Sequence, residues 1–278
     1  MLLKALFSKA RDLTPDQARQ FMRQRSPAEY TLLDVRQPRE YEREHIPGGK
    51  LVPLPQLGDR MAELDPKKPV IAYCAVGGRS RAAAEMLAGR GFGEVYSLKG
   101  GIRAWNGQVA LGPESQGLGL LTGREDRKEA LVVALGLEEG LRRFYQALAP
   151  RAQDQAAGEL CLQLAEVELR HQDLIWDLYQ AGPDGNLGRE EFARLAVGRV
   201  MEGGETVEEA LAGHLARGFT SAELLAEAMG IEAQALDLYL RLAERLGEAG
   251  ARGAFLRLAQ EEQAHLDSLG RLLDHPPA

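Results

Sequence analysis

The amino-acid sequence predicts two domains of different fold class: an α/β domain with a parallel sheet flanked by helices, followed by an all-α four-helix bundle. Three observations support this division. Short apolar stretches of strand length alternate with helical patterns in the first part of the chain. In the second part, the spacing Glu-x-x-His begins at Glu168 and returns 94 residues later at Glu262. The charge balance also changes, since residues 1–111 contain 18 Lys and Arg against 12 Asp and Glu, whereas residues 112–278 contain 16 against 29.

Length and composition indicate a soluble globular protein. At 278 residues, with 45% hydrophobic and 27% charged residues, the chain is long enough to bury two cores. It contains no block or stripe of Lys and Arg, so a nucleic-acid partner is not expected. Residues 1–9 are too short and too interrupted a segment for a signal peptide or a membrane span. We therefore expect a cytoplasmic protein without membrane association, in which Cys74 and Cys161 are free thiols.

The first domain is predicted to begin with a helix. Thr14-Pro15-Asp16-Gln17 forms a capping box with Pro at the first helical position, and the helix should extend to about Arg25. Strands are predicted at residues 30–35, 51–52, 70–73 and 94–98. Further helices are predicted near residues 54–64 and 80–90. This alternation is typical of a parallel α/β sheet.

A loop that begins at Cys74 directly follows a predicted buried strand. Ser80 is predicted to open the next helix, so the loop lies at the carboxyl edge of the sheet, where open α/β folds bind ligands. Gly77 and Gly78 permit a tight curl in which backbone N–H groups point inward. These groups, the helix N-terminus and Arg79 all favour an anion. A cysteine in this position should have a lowered pKa and act as a nucleophile.

The loop and its surroundings resemble the rhodanese family over about residues 14–108. The stretches that carry the resemblance are LLDVRQPREYEREHIPGGKLVPL, CAVGGRS and LKGGIRAWNG. Four residues separate the Cys from the Arg, one fewer than in the tyrosine-phosphatase loop, and a smaller ring suits a sulfane sulfur better than a phosphate. The resemblance implies that Cys74 transfers sulfane sulfur as a persulfide, together with Arg79. The substrate-binding residues that it implies are Ala75, Val76, Gly77, Gly78 and Ser80.

Other residues of this likeness have a structural interpretation. Asp34, Arg36, Glu40 and His45 are expected to form a hydrogen-bonded brace under the sheet rather than to take part in catalysis. The expected partners of the domain are a small anionic sulfur donor, thiosulfate or a persulfide, and a thiol acceptor. The excess of basic residues in this part of the chain suits such donors. The alternative is that Cys74 is a buried structural cysteine.

The second domain contains an internal duplication at the 94-residue offset. In each copy a lone Glu precedes the Glu-x-x-His by 30 residues, the length of one helix that turns back into an antiparallel second helix. Positions i and i+3 share a helix face, so four helices can direct four Glu and two His at one place. Burying these groups requires a cation. The predicted metal ligands are Glu138, Glu168, His171, Glu232, Glu262 and His265.

Carboxylate and imidazole ligands suit two ions of iron, or alternatively of manganese, and the lack of thiolate ligands argues against structural zinc. The stretches ALGLEEGLRRFY and AMGIEAQALDLY are similar to helices of the rubrerythrin and ferritin-like di-iron family, over roughly residues 126–278. One departure is Ala235, where rubrerythrins carry a further carboxylate. The chain also lacks the two Cys-x-x-Cys pairs of a rubredoxin, which excludes an in-chain rubredoxin as electron donor.

The predicted organisation is a rhodanese-like domain at residues 1–108, a Gly-rich linker at 109–125 and a bundle at 126–278 with a crossover insertion at about 181–219. The favoured function is a sulfurtransferase coupled to a di-iron redox site that resembles an oxidase or peroxidase, with Cys74 sulfur or an external donor as reductant. In a second hypothesis the metal-bound bundle serves only dimerisation, as in a homodimer, or sensing. In a third, the bundle is the enzyme and the rhodanese-like domain delivers or senses sulfur.

Overall fold

The computed structural model describes residues 10–118, 125–196, 198, 200–201, 206–214, 219–245 and 249–274. The chain divides into two compact units, Met1–Glu114 and Ser115–Ala278. Residues 109–114 of the predicted linker belong to the first unit, in which His45 and Ala110 form an antiparallel bridge. Residues 119–124 of that linker lie outside the described residues.

The first unit alternates strands and helices. Its strands are β1 (Arg11–Leu13), β2 (Thr31–Asp34), β3 (Lys50–Leu51), β4 (Val70–Tyr73) and β5 (Val95–Leu98). Its α-helices are α1 (Pro15–Arg23), α2 (Pro38–Arg43), α3 (Leu57–Arg60) and α4 (Gly78–Gly89). The five strands form one parallel sheet in the order β1-β5-β4-β2-β3. The prediction of a parallel sheet flanked by helices is therefore confirmed.

Both faces of this sheet are buried, as expected for parallel strands joined by helical crossovers. Successive side chains alternate between the faces. Leu32 and Ile71 pack in the core on one side, whereas Leu33, Ala72 and Cys74 pack in the core on the other. Cys74 therefore directly follows the last residue of β4 and packs in the second of these cores.

The structure differs from the prediction at two places in this unit. The edge strand β1 was not predicted, because its three residues are mostly exposed and polar and acquire strand geometry only by pairing with β5. Helix α4 begins at Gly78, so the prediction that Ser80 opens it is wrong by two residues. The earlier start follows from Gly77, whose φ of 101° turns the chain directly into the helix.

The second unit is helical. Its helices are α5 (Arg127–Leu148), α6 (Gln155–Gln180), α7 (Arg189–Leu195), α8 (Val207–His214), α9 (Ser221–Arg245) and α10 (Ala249–Asp274). Helix α5 packs against α6, and α9 against α10, so the two predicted hairpins form a four-helix bundle, while α7 and α8 lie in the crossover. The all-α prediction is confirmed. Among the described helices, none has the length and apolar character that a membrane span needs.

The bundle encloses one apolar core, in which the duplicated positions are equivalent. Cys161 and Phe255, which lie 94 residues apart, are both fully buried there. The segment that precedes α5 is fixed to this unit by α9. Arg241 donates a hydrogen bond of 2.8 Å to the carbonyl oxygen of Gln116, and Arg245 donates one of 3.0 Å to that of Leu118.

Candidate functional site

The first unit holds Cys74 in a cradle of backbone groups at the carboxyl end of β4. The Gly77 N–H donates a hydrogen bond of 3.1 Å to Cys74 Sγ. Gly77 adopts a left-handed conformation and is also the N-cap of α4, so the first free N–H groups of the helix lie beside the sulfur. The thiol itself is only 1% exposed. This geometry agrees with the sequence prediction that the loop curls its N–H groups around an anion.

The cradle stabilises the thiolate. Burial raises the pKa of Cys74, but hydrogen bonds from Ser80, Val76 and Gly77 outweigh burial, and the net pKa is lowered. Cys161 is the opposite case, because burial in the bundle core raises its pKa to about 11. Of the two cysteines, Cys74 is therefore the one prepared for nucleophilic attack.

A second turn supports the cradle from the far side. Ile102 N–H donates to the carbonyl oxygen of Cys74 at 2.8 Å, and Arg103 N–H donates to that of Ala75 at 3.2 Å. Gly101 has a φ of 61°, and a Cβ added there would lie 2.2 Å from the Cys74 carbonyl oxygen. Only glycine allows this close approach. The segment around Gly101 therefore fixes the backbone on which the nucleophile sits.

Arg79 is held beside the loop by the carboxylate of Glu40, a residue that was predicted to lie in a brace under the sheet. Glu40 Oε1 and Oε2 lie 2.6 and 2.7 Å from the Arg79 guanidinium nitrogens, in a bidentate pair. The hydrogen bond from Arg79 lowers the pKa of Glu40 to about 2. The assignment of Glu40 to a brace under the sheet is therefore wrong. Arg79 also interacts with Cys74, and this contact, like the one with Glu40, raises the arginine pKa.

The other predicted substrate-binding residues differ in accessibility. Val76 is 58% exposed at the tip of the loop, whereas Ser80 is buried and its Oγ donates to the Gly77 carbonyl oxygen at 3.1 Å. Asp34 and Arg36 form the expected brace, since the Arg36 Nη2 to Asp34 Oδ2 distance is 2.6 Å and both side chains are buried. His45 stacks on Tyr41 in the same interior region.

The second unit brings all six predicted metal ligands together. His171 is the centre of one group, because its Nδ1 lies 3.1 Å from Glu138 Oε2. The same nitrogen lies 3.3 Å from Glu168 Oε2 and 3.3 Å from Glu262 Oε1. A carboxylate from α5, one from α6 and one from α10 therefore face one imidazole. The hydroxyl of Tyr239, on α9, donates a short hydrogen bond to Glu138 Oε1.

His265 is the centre of the other group. Its Nδ1 lies 3.2 Å from Glu232 Oε1, and its ring centroid is 5.9 Å from that of His171. Donor atoms within 4.8 Å of one another occur in three overlapping sets: His171, Glu262 and His265; Glu138, Glu168 and His171; Glu168, Glu232 and His265. The shared members join these sets into one cluster.

The cluster has the electrostatics of a cation site. Both carboxylate oxygens of Glu168, Glu232 and Glu262 are buried and make no hydrogen bond within the described part of the chain. Burial raises the pKa of Glu168 and Glu262 well above the usual range, and neighbouring carboxylates add to the effect. Burial disfavours the charged form of His171, but Glu262 and Glu138 outweigh it and raise its pKa. A divalent cation would satisfy these acceptors without protons.

Comparison with known proteins identifies both units. The rhodanese-like domain profile matches residues 14–108, and the rubrerythrin profile matches residues 129–273, about half of the chain. The chain belongs to the rhodanese and rubrerythrin families. It therefore carries a rhodanese-like domain and a rubrerythrin domain, and the suspected fusion is confirmed.

The curated relatives match the rhodanese-like domain. A protein named YqhL from Bacillus subtilis is 45% identical over 78 residues, which are 28% of this chain and 62% of YqhL. The chain thus spans less than two thirds of that relative. The thiosulfate sulfurtransferase GlpE from Pseudomonas syringae is 36% identical over 93 residues, which are 34% of this chain and 84% of GlpE. A crystal structure of a rhodanese-like domain protein from Staphylococcus aureus, 26% identical, covers 34% of this chain and 91% of that chain with a TM-score of 0.32.

The rubrerythrin domain implies a metal site, and the donor set of this chain fits one. Three fully buried carboxylates whose oxygens lack hydrogen bonds among the described residues, together with two imidazoles, match the donors of di-iron and di-manganese bundles. Ala235, the position at which the sequence analysis noted a missing carboxylate, lies on α9 with its small side chain buried.

We expect Ser80→Ala to slow alkylation of Cys74 at neutral pH. The Ser80 hydroxyl contributes to the lowered pKa of Cys74, so its removal raises that pKa and leaves less thiolate at a given pH. A hydrogen bond to a charged group is worth about 1.5 kcal/mol, so the rate should fall by up to about tenfold. The measurement is the pH dependence of iodoacetamide labelling, followed by mass spectrometry of the Cys74 peptide. Cys161 is the internal control, and an unchanged Cys74 profile would contradict the role of the hydroxyl.

Proposed function

We propose that the protein is a sulfurtransferase that carries sulfane sulfur as a persulfide on Cys74. The main observation behind the proposal is that backbone groups surround the Cys74 thiol, with the Gly77 N–H donating a hydrogen bond of 3.1 Å to Sγ. The Cys74 thiolate attacks the outer sulfur of thiosulfate, an S–S bond forms, and sulfite leaves with the electron pair of the broken bond. A thiolate acceptor then attacks the terminal sulfur, takes it as its own persulfide, and releases the Cys74 thiolate.

The residues of the loop have separate tasks in this scheme. The N–H groups that lower the pKa of Cys74 would also hold the negative charge of the terminal sulfur, because a persulfide is an anion that extends from the same atom. Arg79 would bind the anionic part of the donor. Glu40 is a positioning residue, since its bidentate pair fixes the guanidinium at the mouth of the loop. The exposed Val76 is available to contact an acceptor.

Replacement of Cys74 by Ser should abolish sulfur transfer from thiosulfate to cyanide. The serine hydroxyl retains the size of the thiol but cannot form a persulfide. The metal content should be unchanged, because no ligand of the cluster lies in the first unit. The assay is thiocyanate formation, with elemental analysis of the same preparation, and Cys161→Ser serves as the matched control that keeps full transfer. Transfer that persists in the Cys74 variant would refute the assignment.

We propose further that the cluster in the rubrerythrin domain binds two metal ions, iron in the first instance and manganese as the alternative. The ligands would be Glu138, Glu168, His171, Glu232, Glu262 and His265. Glu168 and Glu262 would bridge the two ions, a role supported by their central places between the imidazoles. Such ions supply one-electron redox chemistry when bound. Tyr239 would hold Glu138 in a fixed orientation through its hydrogen bond.

Protein produced with iron should contain two iron atoms per chain by elemental analysis. Glu262→Ala should lose most of this metal, because it removes the carboxylate that lies within 4.8 Å of donor atoms of both His171 and His265, whereas Gln263→Ala on the same helix should retain it. Absence of metal, or zinc at one atom per chain, would remove the di-iron hypothesis.

We propose, finally, that sulfane sulfur on Cys74 is a reductant or substrate of the metal centre. Two observations favour this coupling. These 278 residues contain two cysteines and no Cys-x-x-Cys pair, so no rubredoxin lies within them. Cys74 is the thiol with the lowered pKa, and a tether raises the effective concentration of one site for another when its geometry lets them meet. In the competing hypothesis the metal-bound bundle serves only dimerisation or sensing.

Thiosulfate loading should accelerate reduction of the oxidised metal centre in the wild type. Stopped-flow absorbance would compare wild type with thiosulfate, wild type without it, and Cys74→Ser with it. Only the first sample holds a persulfide, so only the first should be reduced rapidly. Equal rates in all three would mean that the units are joined without redox coupling. As a control, an external reductant added to each sample at the same concentration tests whether each metal centre can be reduced.

A further inference from the structure

A cavity of 720 Å³ lies between α6 and α10 and reaches the metal cluster. Both His171 and His265 line it, although the two side chains are more than nine-tenths buried. His265 Nδ1 makes no hydrogen bond within the described residues. The cavity therefore connects solvent with the two imidazoles of the metal cluster.

The walls of the cavity have two kinds of side chain. Leu164, Leu174 and Leu269 form apolar parts of the wall. Four carboxylates also line it, against a single arginine, Arg170; they are Glu166, Asp173, Asp177 and Glu261. This excess of carboxylates gives the opening a negative potential.

Two of the four carboxylates are already paired. Asp173 forms a short ion pair with Arg189, and Glu261 lies 2.8 Å from Arg257. Glu166 and Asp177 form no close ion pair with the described residues, although Glu166 interacts electrostatically with Arg142. Their charge is the part of the rim that remains available to an approaching cation, and both side chains are exposed at the surface.

We propose that this cavity is the path by which divalent cations reach the metal centre, and that Glu166 and Asp177 attract them to its opening. The inference rests on the metal centre proposed above. A hydrated Fe²⁺ ion must lose water before it reaches a buried site, and carboxylates at the rim can replace part of that water. Anions are repelled by the same charges, so free thiosulfate should be excluded from this path.

The test measures uptake of Co²⁺ by the metal-free full-length protein, with the visible absorption of the bound ion as the signal. Glu166→Gln/Asp177→Asn should slow the second-order uptake about three- to tenfold at low salt, because it removes two of the charges that attract the cation. Full electrostatic steering accelerates association by about tenfold or more. At high salt, where the screening length is about 3 Å at 1 M, the two proteins should take up Co²⁺ at the same rate. Both should bind the same final amount of Co²⁺.

The control is Glu208→Gln/Glu244→Gln, which removes two carboxylates from α8 and α9 that do not line the cavity. It should match the wild type at every salt concentration. Ser268→Trp narrows the cavity and should slow uptake at low and high salt alike. Equal rates for the wild type, the Glu166/Asp177 variant and Ser268→Trp would overturn the path while leaving the metal centre intact. Failure of the wild type to bind Co²⁺ at all would instead refute the metal centre.

Discussion

The second unit depends on one electrostatic constraint, which is that several carboxylates are buried together in an apolar bundle. Glu168, Glu232 and Glu262 are each at most 1% exposed, and their oxygens make no hydrogen bond among the described residues. Transfer of an unpaired carboxylate out of water costs several kcal/mol, so three adjacent ones cannot all ionise without compensation. Burial raises the pKa of Glu168 and Glu262 and so favours their protonated forms, whereas at Glu232 the nearby His265 outweighs burial and lowers the pKa to about 2. A cation would replace the protons of Glu168 and Glu262. The buried carboxylates of the bundle core thus favour the metal-bound protein and destabilise the metal-free one.

The duplication explains why the ligands meet. Each copy supplies a helix with a lone Glu and a helix with Glu-x-x-His, and the two hairpins face each other in the bundle. The two copies do not form separate groups of donor atoms, however, because Glu262 of the second copy contacts His171 of the first. Tyr239 of the second copy likewise donates to Glu138 of the first. A hairpin alone would hold an incomplete donor set, so the site exists only in the assembled bundle.

The sequence predicted those parts of the fold and sites that depend on local spacing. The parallel sheet, the position of the loop at Cys74 and the convergence of six ligands follow from alternation, from a strand that ends at a glycine turn and from helical periodicity. Glu40 was misassigned because its partner Arg79 lies 39 residues away and no local pattern records that contact. Strand β1 was missed for a similar reason, since only pairing with β5 makes its exposed polar residues a strand.

The two units stabilise negative charge by different means, and this difference determines how each can be used. Around Cys74 the compensating groups are backbone N–H donors and a helix N-terminus, which are fixed by Gly77 and Gly101 as soon as the unit folds. In the bundle the groups that face the carboxylates are the imidazoles of His171 and His265 and the hydroxyl of Tyr239, and a bound cation would supply further positive charge. The thiolate is therefore ready for reaction in the folded first unit, whereas the chemistry of the second unit depends on an ion that must first be acquired. The proposed sulfur transfer would consequently operate with or without metal, while the proposed coupling of the two units would require both the persulfide and the loaded centre.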